Sequence, residues 1–294
     1  MKITSLPLTC LLLLFGLNLS AEDTGDYDSK IIGLVRYVQG GTFKHTKYLN
    51  NISTIDSFHM GQFEITGNQY LLVMGIDPSD TNYRSDDTNP VQMVNWYQAI
   101  AFCNKLSILE NLEPVYSIEG IDFETIRYAD IPQDENKQWD DVKVSWNNNG
   151  YRLPTEMEWY WAAMGCRDEI NKPYSGGQDI KLIGDYAVYG YYEDRNGWTA
   201  GRTSEKRSNP VGSKKPNEIG LYDLSGNIFE WLWDWYADYP KNDLENYVGP
   251  DKGTKRIIAG GFWGKEIPFL RIGYREYQKP YKKDFAIGFR VVRK

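Results

Sequence analysis

Beyond Gly176-Gly177, glycine, asparagine and proline recur so often that no long regular element fits between them. That half of the chain is restricted to short strands joined by turns and loops. "IFEWLWDWY" (228–236) is the clearest strand. It sets Trp231, Trp233 and Trp235 on one side and Glu230, Leu232 and Asp234 on the other, the two-residue alternation of extended chain. "AIGFRVVRK" (286–294) predicts a terminal strand.

The first half carries the helices. "EITGNQYLLVMG" has helical spacing through Tyr70, Leu71 and Met74, with Thr66 placed to cap it. Asn95 caps a second helix, whose apolar face runs through Ala99, Phe102, Cys103 and Leu106. In "NNNGYRLPTEMEWYWAAMG" the residue before Pro154 is held out of the helical region. Thr155 and Glu158 then form a T-x-x-E capping box, and Gly165 ends the helix. "IIGLVRYVQGGTF" reads as strand, Gly40-Gly41 turn, strand, and 112–146 as a short hairpin with a loop. Two or three helices among many short strands and long loops make an irregular α+β domain.

No Pro- or Ser-rich linker and no repeat of 20–50 residues is visible, so 31–294 reads as one domain. Ahead of it, "MKITSLPLTCLLLLFGLNLSA" (1–21) has a Lys, an apolar run and small residues, the pattern of a secretory signal cleaved near Ala21. Its apolar stretch is shorter than a membrane span requires. Residues 22–30 are polar and read as a flexible lead-in. The expected location is secreted, periplasmic or in the cell envelope.

Three cysteines exclude a dense disulfide framework, and two histidines (His45, His59) cannot supply a three-His zinc site. After cleavage Cys103 and Cys166 remain, readable as a buried free thiol or as a bridged pair. From Lys252 onward twelve Lys and Arg meet three Asp and Glu, on a chain of net charge −7. The basic end suits an anionic ligand or its own acidic body. A nucleic-acid partner is not expected of an exported chain with pI near 5.1. There is no P-loop, no G-x-S-x-G elbow and no G-x-G-x-x-G after a strand.

The landmarks "VQGGTF", "HMGQFEITGNQYLLVM", "PVQMVNWYQAIAFCNKLS", "YRLPTEMEWYWAA", "PVGSKKPNEIGLYDLSGNIFEWLWDWY", "IIAGGFWG" and "AIGFRVVRK" occur in that order. The succession resembles the formylglycine-generating enzyme family, also called sulfatase-modifying factor domains, over nearly the whole mature chain. The resemblance implies a C-type-lectin-like core. It also implies oxidation of a sulfatase cysteine by a copper-holding cysteine pair just after the GG motif. Here those positions fall on Lys265 and Leu270, and no cysteine follows Cys166. Soft sulfur ligands select Cu(I), so no copper and no cysteine-to-formylglycine reaction are expected.

The resemblance further implies a calcium site in "GLYDLSGNIFEW": Asp223 and Glu230 through side chains, Gly226 and Ile228 through carbonyls. Calcium takes six to eight hard oxygen ligands. The alternative is a purely structural turn with Asp223 capping backbone N–H groups and Glu230 paired with an Arg. The family's second calcium site is not carried over, because Val188 stands where an Asn is needed.

The family's substrate surface is bordered by the segment between GG and GFR. That segment offers Trp263, Lys265, Glu266, Phe269, Arg271, Tyr274, Tyr277 and Lys279 as candidate ligand-binding residues. Large amphipathic aromatics beside cations are the mix enriched at binding surfaces. The bland alternatives are that Phe262, Ile272 and Phe289 are core, that Tyr281 covers a loop, and that Arg275 and Arg290 pair with acids such as Glu156 or Glu158. The expected function is a non-catalytic binding protein holding a peptide, protein or glycan. Two rivals stand beside it: a cysteine-independent oxidase using a metal or an acid such as Glu266, and a structural envelope component.

Overall fold

A computed structural model describes residues 25–44, 51–168, 172–190 and 203–294. The signal-like segment, His45 and part of the loop after Tyr189 lie outside the described residues.

Among the described residues four small sheets are formed. The first orders β1 (Tyr27–Ser29), β2 (Gly33–Val38), β5 (Phe58–Gly61) and β13 (Val292–Arg293), all antiparallel. A second joins β3 (Gly41–Lys44), β4 (Ile52–Ile55) and β9 (Leu244–Glu245), and a third pairs β6 (Tyr116–Ser117) with β7 (Lys143–Val144). The fourth orders β11 (Glu276–Gln278), β10 (Arg256–Ala259), β8 (Phe229–Trp235) and β12 (Ile287–Gly288).

The helices are α1 (Gly67–Met74), α2 (Trp96–Leu109), α3 (Lys137–Asp140), α4 (Glu156–Ala163) and α5 (Ile183–Tyr186). Thr66, Asn95 and Thr155 cap α1, α2 and α4 as expected, and Gln69 and Gln98 complete capping boxes on α1 and α2 beside the expected Thr155–Glu158 box.

Sequence and structure part at three places. The strand–turn–strand at Gly40-Gly41 forms no hairpin, since β2 and β3 join different sheets. A Cβ at Gly40 would stand 2.6 Å from the Ile55 carbonyl oxygen, so only glycine passes this crossing. The lead-in expected to be flexible is partly ordered: Tyr27–Ser29 pairs with β2, and Ser29 is buried. The terminal strand divides into β12 and β13, which serve separate sheets and so tie them together.

β8 is covered on both faces. Trp231, Leu232 and Glu230 are all fully buried, so its alternation separates two interiors rather than core from solvent. Two indole bonds lock it to the start of α2: Trp231 Nε1 donates to the Val94 carbonyl and Trp96 Nε1 to the Leu232 carbonyl, each at 2.9 Å. One interior holds α1, α2 and one face of β8, and the other packs α4 against β4 and β10. Among the described residues no helix is long and apolar enough to cross a membrane.

Candidate functional site

The segment after β10 opens with Gly260 (φ +94°) and Gly261 (φ +81°), where L side chains are strained. A Cβ on Gly261 would stand 2.6 Å from Leu270 Cδ2 and 2.9 Å from the Phe269 carbonyl oxygen. The glycine pair lets the chain fold tightly back on the short 3₁₀ turn Ile267–Leu270.

The eight expected ligand-binding residues do not form one strip. Lys265, Phe269 and Tyr274 meet. The Lys265 ammonium lies 4.7 Å from the Phe269 ring, which stands edge-on to Tyr274 at 5.2 Å. Tyr274 Oη donates to Glu276 at 3.0 Å, and burial together with that carboxylate pushes the phenol up to about 12. Glu266 is half-buried and precedes the 3₁₀ turn without capping it. Arg271 is exposed, 6.0 Å from the Tyr174 ring. Tyr277, on β11, packs against Tyr236 at 4.4 Å beneath the Lys255 ammonium at 3.8 Å. Lys279 is exposed beside Tyr281.

Trp263 is corrected. Its side chain is fully buried, stacked on Tyr83 at 5.8 Å and tilted against Phe285, so it is core. Its indole is large and apolar, and the backbone bond from Trp263 N to the Asn227 carbonyl draws it inward. Phe262, Ile272 and Phe289 are buried, and Tyr281 packs on the core edge. Arg275 holds Glu156 through two bonds of 2.6 and 3.0 Å, while Arg152 takes Glu158 the same way.

The turn 223–230 lies under this loop. Asp223 (φ +61°), Gly226 (φ +89°) and Asn227 (φ +62°) all take left-handed conformations. A Cβ on Gly226 would clash with the Val188 carbonyl oxygen at 2.3 Å. Asp223 Oδ2 accepts from Gly212 N at 2.7 Å, whereas its buried Oδ1 has no hydrogen-bond partner. Burial pushes Asp223 up to about 6.

Both oxygens of Glu230, the second expected calcium ligand, are taken. Arg290 Nη2 and Nε donate to Oε1 and Oε2 at 2.7 Å, and Trp159 Nε1 donates to Oε2 at 2.9 Å. Sequence reasoning missed Glu64, fully buried at the same place and donated to by Asn227 Nδ2 and the Ile228 amide. Burial, then Asp223 and Glu230, push Glu64 well above the carboxylate range. Three buried carboxylates lie in the field of the Arg290 guanidinium, and Glu230 alone is bonded to it. The Asp223 end suits a cation, while Glu230 does not fit the proposed ion unless Arg290 leaves. Among the described residues no three His, Cys, Asp or Glu side chains are grouped to hold a metal.

Residues 29–294 match the model of the FGE-sulfatase family, described as the sulfatase-modifying factor enzyme 1-like domain. The chain belongs to this family. It is 36% identical over 244 residues to the Chaperone protein LppX of Paenibacillus barcinonensis, covering 81% of each chain. A Formylglycine-generating enzyme of Thermomonospora curvata matches at 33% over 132 residues, 41% of this chain and 43% of that one. The solved Treponema denticola variable protein 1 superposes with a TM-score of 0.79 at 32% identity, covering 91% of this chain and 98% of that one.

In this sulfatase-modifying factor domain the positions given to the copper cysteines hold other residues. Lys265 and Leu270 stand where the resemblance places the cysteines, and Leu270 is fully buried. Cys103 and Cys166 are both free, and neither lies in the loop. Burial raises both thiols, Cys166 to about 12, so thiolate is scarce at neutral pH.

Proposed function

We propose that this member of the sulfatase-modifying factor family is a non-catalytic binding protein. It holds a peptide, protein or glycan on the loop Lys265–Lys279. The observation that carries this is the Lys265–Phe269–Tyr274 cluster: half-buried amphipathic rings beside a cation, where the family's copper cysteines would stand. Rings held by neighbours lose little entropy on binding. One relative agrees with a binding role by its name alone, a chaperone. Export through the segment 1–21 belongs to the same reading, and the N-terminal mass of the exported chain tests it.

A structural calcium ion is proposed for the Asp223 end of the buried turn, where the unpartnered Oδ1 is the motivating atom. Elemental analysis and melting with and without EDTA test it. Absence of calcium and an unchanged melting point would end that proposal.

The loop is tested by capture. Wild-type protein and a Phe269→Ala/Tyr274→Ala variant are presented to peptide and glycan arrays under identical conditions. Signal retained by wild type and lost in the variant supports the reading. Equal signal from both, or conversion of a sulfatase-type cysteine peptide to aldehyde, overturns it.

A further inference from the structure

Away from the loop the described residues enclose a polar cavity. A cavity of about 300 Å³ lies between the end of β8, the segment 140–146 and the loop 248–251. Trp146 and Trp233 line it, with Asp140, Asp141 and Asp251, and Arg256 reaches it from β10. Arg256 and Lys255 are consecutive and so point to opposite faces. Lys255 covers Tyr277 at the loop, whereas Arg256 faces this cavity, so the two surfaces are distinct.

Arg256 is 1% exposed. Its guanidinium carbon lies 3.4 Å from the Trp235 ring centre and 3.8 Å from that of Trp96. Nη1 donates to the Trp233 carbonyl, but the buried Nε has no hydrogen-bond partner. Among the described residues no carboxylate lies within ion-pair distance of it. Burial, partly opposed by Asp140, holds its pKa down at about 9. Nε is closed off, but the guanidinium lines the cavity with only Nη1 hydrogen-bonded, so Nη2 can meet an acceptor oxygen there.

The other walls limit what can bring that oxygen. Asp141 is already held by Lys137 at 2.6 Å, so Asp140 and Asp251 disfavour an anion while the Arg256 charge offsets much of their pull on a cation. A neutral molecule is left, with hydroxyls for both groups and apolar faces for the indoles. Asp140 Oδ1 accepts from Tyr97 at 2.8 Å, which holds the carboxylate in place as an acceptor. Sugars have this composition: hydroxyl oxygens that both donate and accept, around C–H faces that pack on aromatic rings.

We propose that this cavity is a carbohydrate subsite that takes one neutral pyranose unit. Trp146 packs on the ring, Arg256 donates to a hydroxyl oxygen, and Asp140 and Asp251 accept from hydroxyls. Its size is at the small end of ligand pockets, enough for a single ring. A second cavity of about 370 Å³ shares Trp146 and Val248 and is edged by Asn147 and Asn246. It provides room for a following unit beside Trp146, over whose ring the Arg152 guanidinium lies at 5.2 Å.

The test is saturation-transfer NMR on the mature protein. The neutral probes are the methyl glycosides of glucose, galactose and mannose together with N-acetylglucosamine, and the charged comparators are glucuronate and glucosamine. At least one neutral sugar receives saturation, and its affinity falls by roughly tenfold or more in Trp146→Ala, as expected for a stacked wall. Asp251→Ala also weakens it, and because Asp251 is exposed that variant retains the fold. Silence from all four neutral sugars overturns the proposal. So does stronger binding of glucuronate or glucosamine, or neutral-sugar binding that neither substitution weakens.

Discussion

Arg290 and Glu230 face each other fork to fork, Nη2 to Oε1 and Nε to Oε2 at 2.7 Å, with both side chains fully buried. Arg290 also donates to the Tyr222 carbonyl, so the pair pins the turn 222–230 to the last strands. Burial alone would lower the Arg290 pKa, but Glu230 and its neighbouring acids raise it. Removing one partner leaves an uncompensated charge inside the protein, which costs about 3–5 kcal/mol. Arg290→Met therefore destabilises by that amount in urea unfolding, and adding Glu230→Gln restores part of it. Equal stabilities of the single and double variants would show that the pair is not coupled.

Gly261→Ala is expected to cost about 1–2 kcal/mol for the left-handed backbone. The contacts of the new Cβ with Leu270 and the Phe269 carbonyl add to that. Because those contacts sit under the proposed binding rings, the variant also loosens Phe269 and Tyr274. Urea unfolding reads the first effect, and reduced capture on the arrays reads the second. Wild-type stability in the variant would mean that the loop adjusts freely.

How much of this was legible in the sequence differs by element. Helix caps are local: Thr66, Asn95 and Thr155 each sit three residues from the side chain that completes the box, so residue order alone reveals them. The pairing of Arg275 with Glu156 spans 119 positions, and the sequence narrowed its partner to Glu156 or Glu158 without deciding between them. Strand partners were not legible at Gly40-Gly41, because a glycine turn marks a change of direction without saying which sheet receives the next strand. Trp263 looked like a surface anchor, since an indole beside Lys and Glu fits both a rim and a core edge. Only the placement of Tyr83 and Phe285 decides it. Arg256 gave no signal at all: its indole neighbours come from α2 and β8, and nothing near position 256 announces them.

Cys103 and Cys166 are expected to stay reduced and slow to react. Cys103 is fully buried, and Cys166 carries a raised pKa, so the thiolate that attacks a disulfide reagent is rare in each. Ellman's reagent should leave Cys103 and Cys166 of the folded protein nearly unlabelled and label both after denaturation. Fast labelling of the folded protein, or none after denaturation, would contradict this account.

Asp234 supplies the pH prediction. Its Oδ2 accepts from the Glu156 amide at 2.7 Å at the start of α4, while Oδ1 is buried without a partner. Burial first and Glu156 second raise its pKa well above 3.8. A carboxyl whose folded pKa is raised stabilises the fold below its unfolded pKa, where it is neutral in both states. That contribution is lost as pH rises toward the folded value, because the unfolded chain then ionises more readily, at about 1.4 kcal/mol per unit of separation. Asn at this position still accepts from the Glu156 amide and cannot ionise. Asp234→Asn should therefore gain in melting temperature over wild type between pH 4 and pH 7, with little difference at the acid end. A constant difference across that range would mean that Asp234 does not titrate with folding.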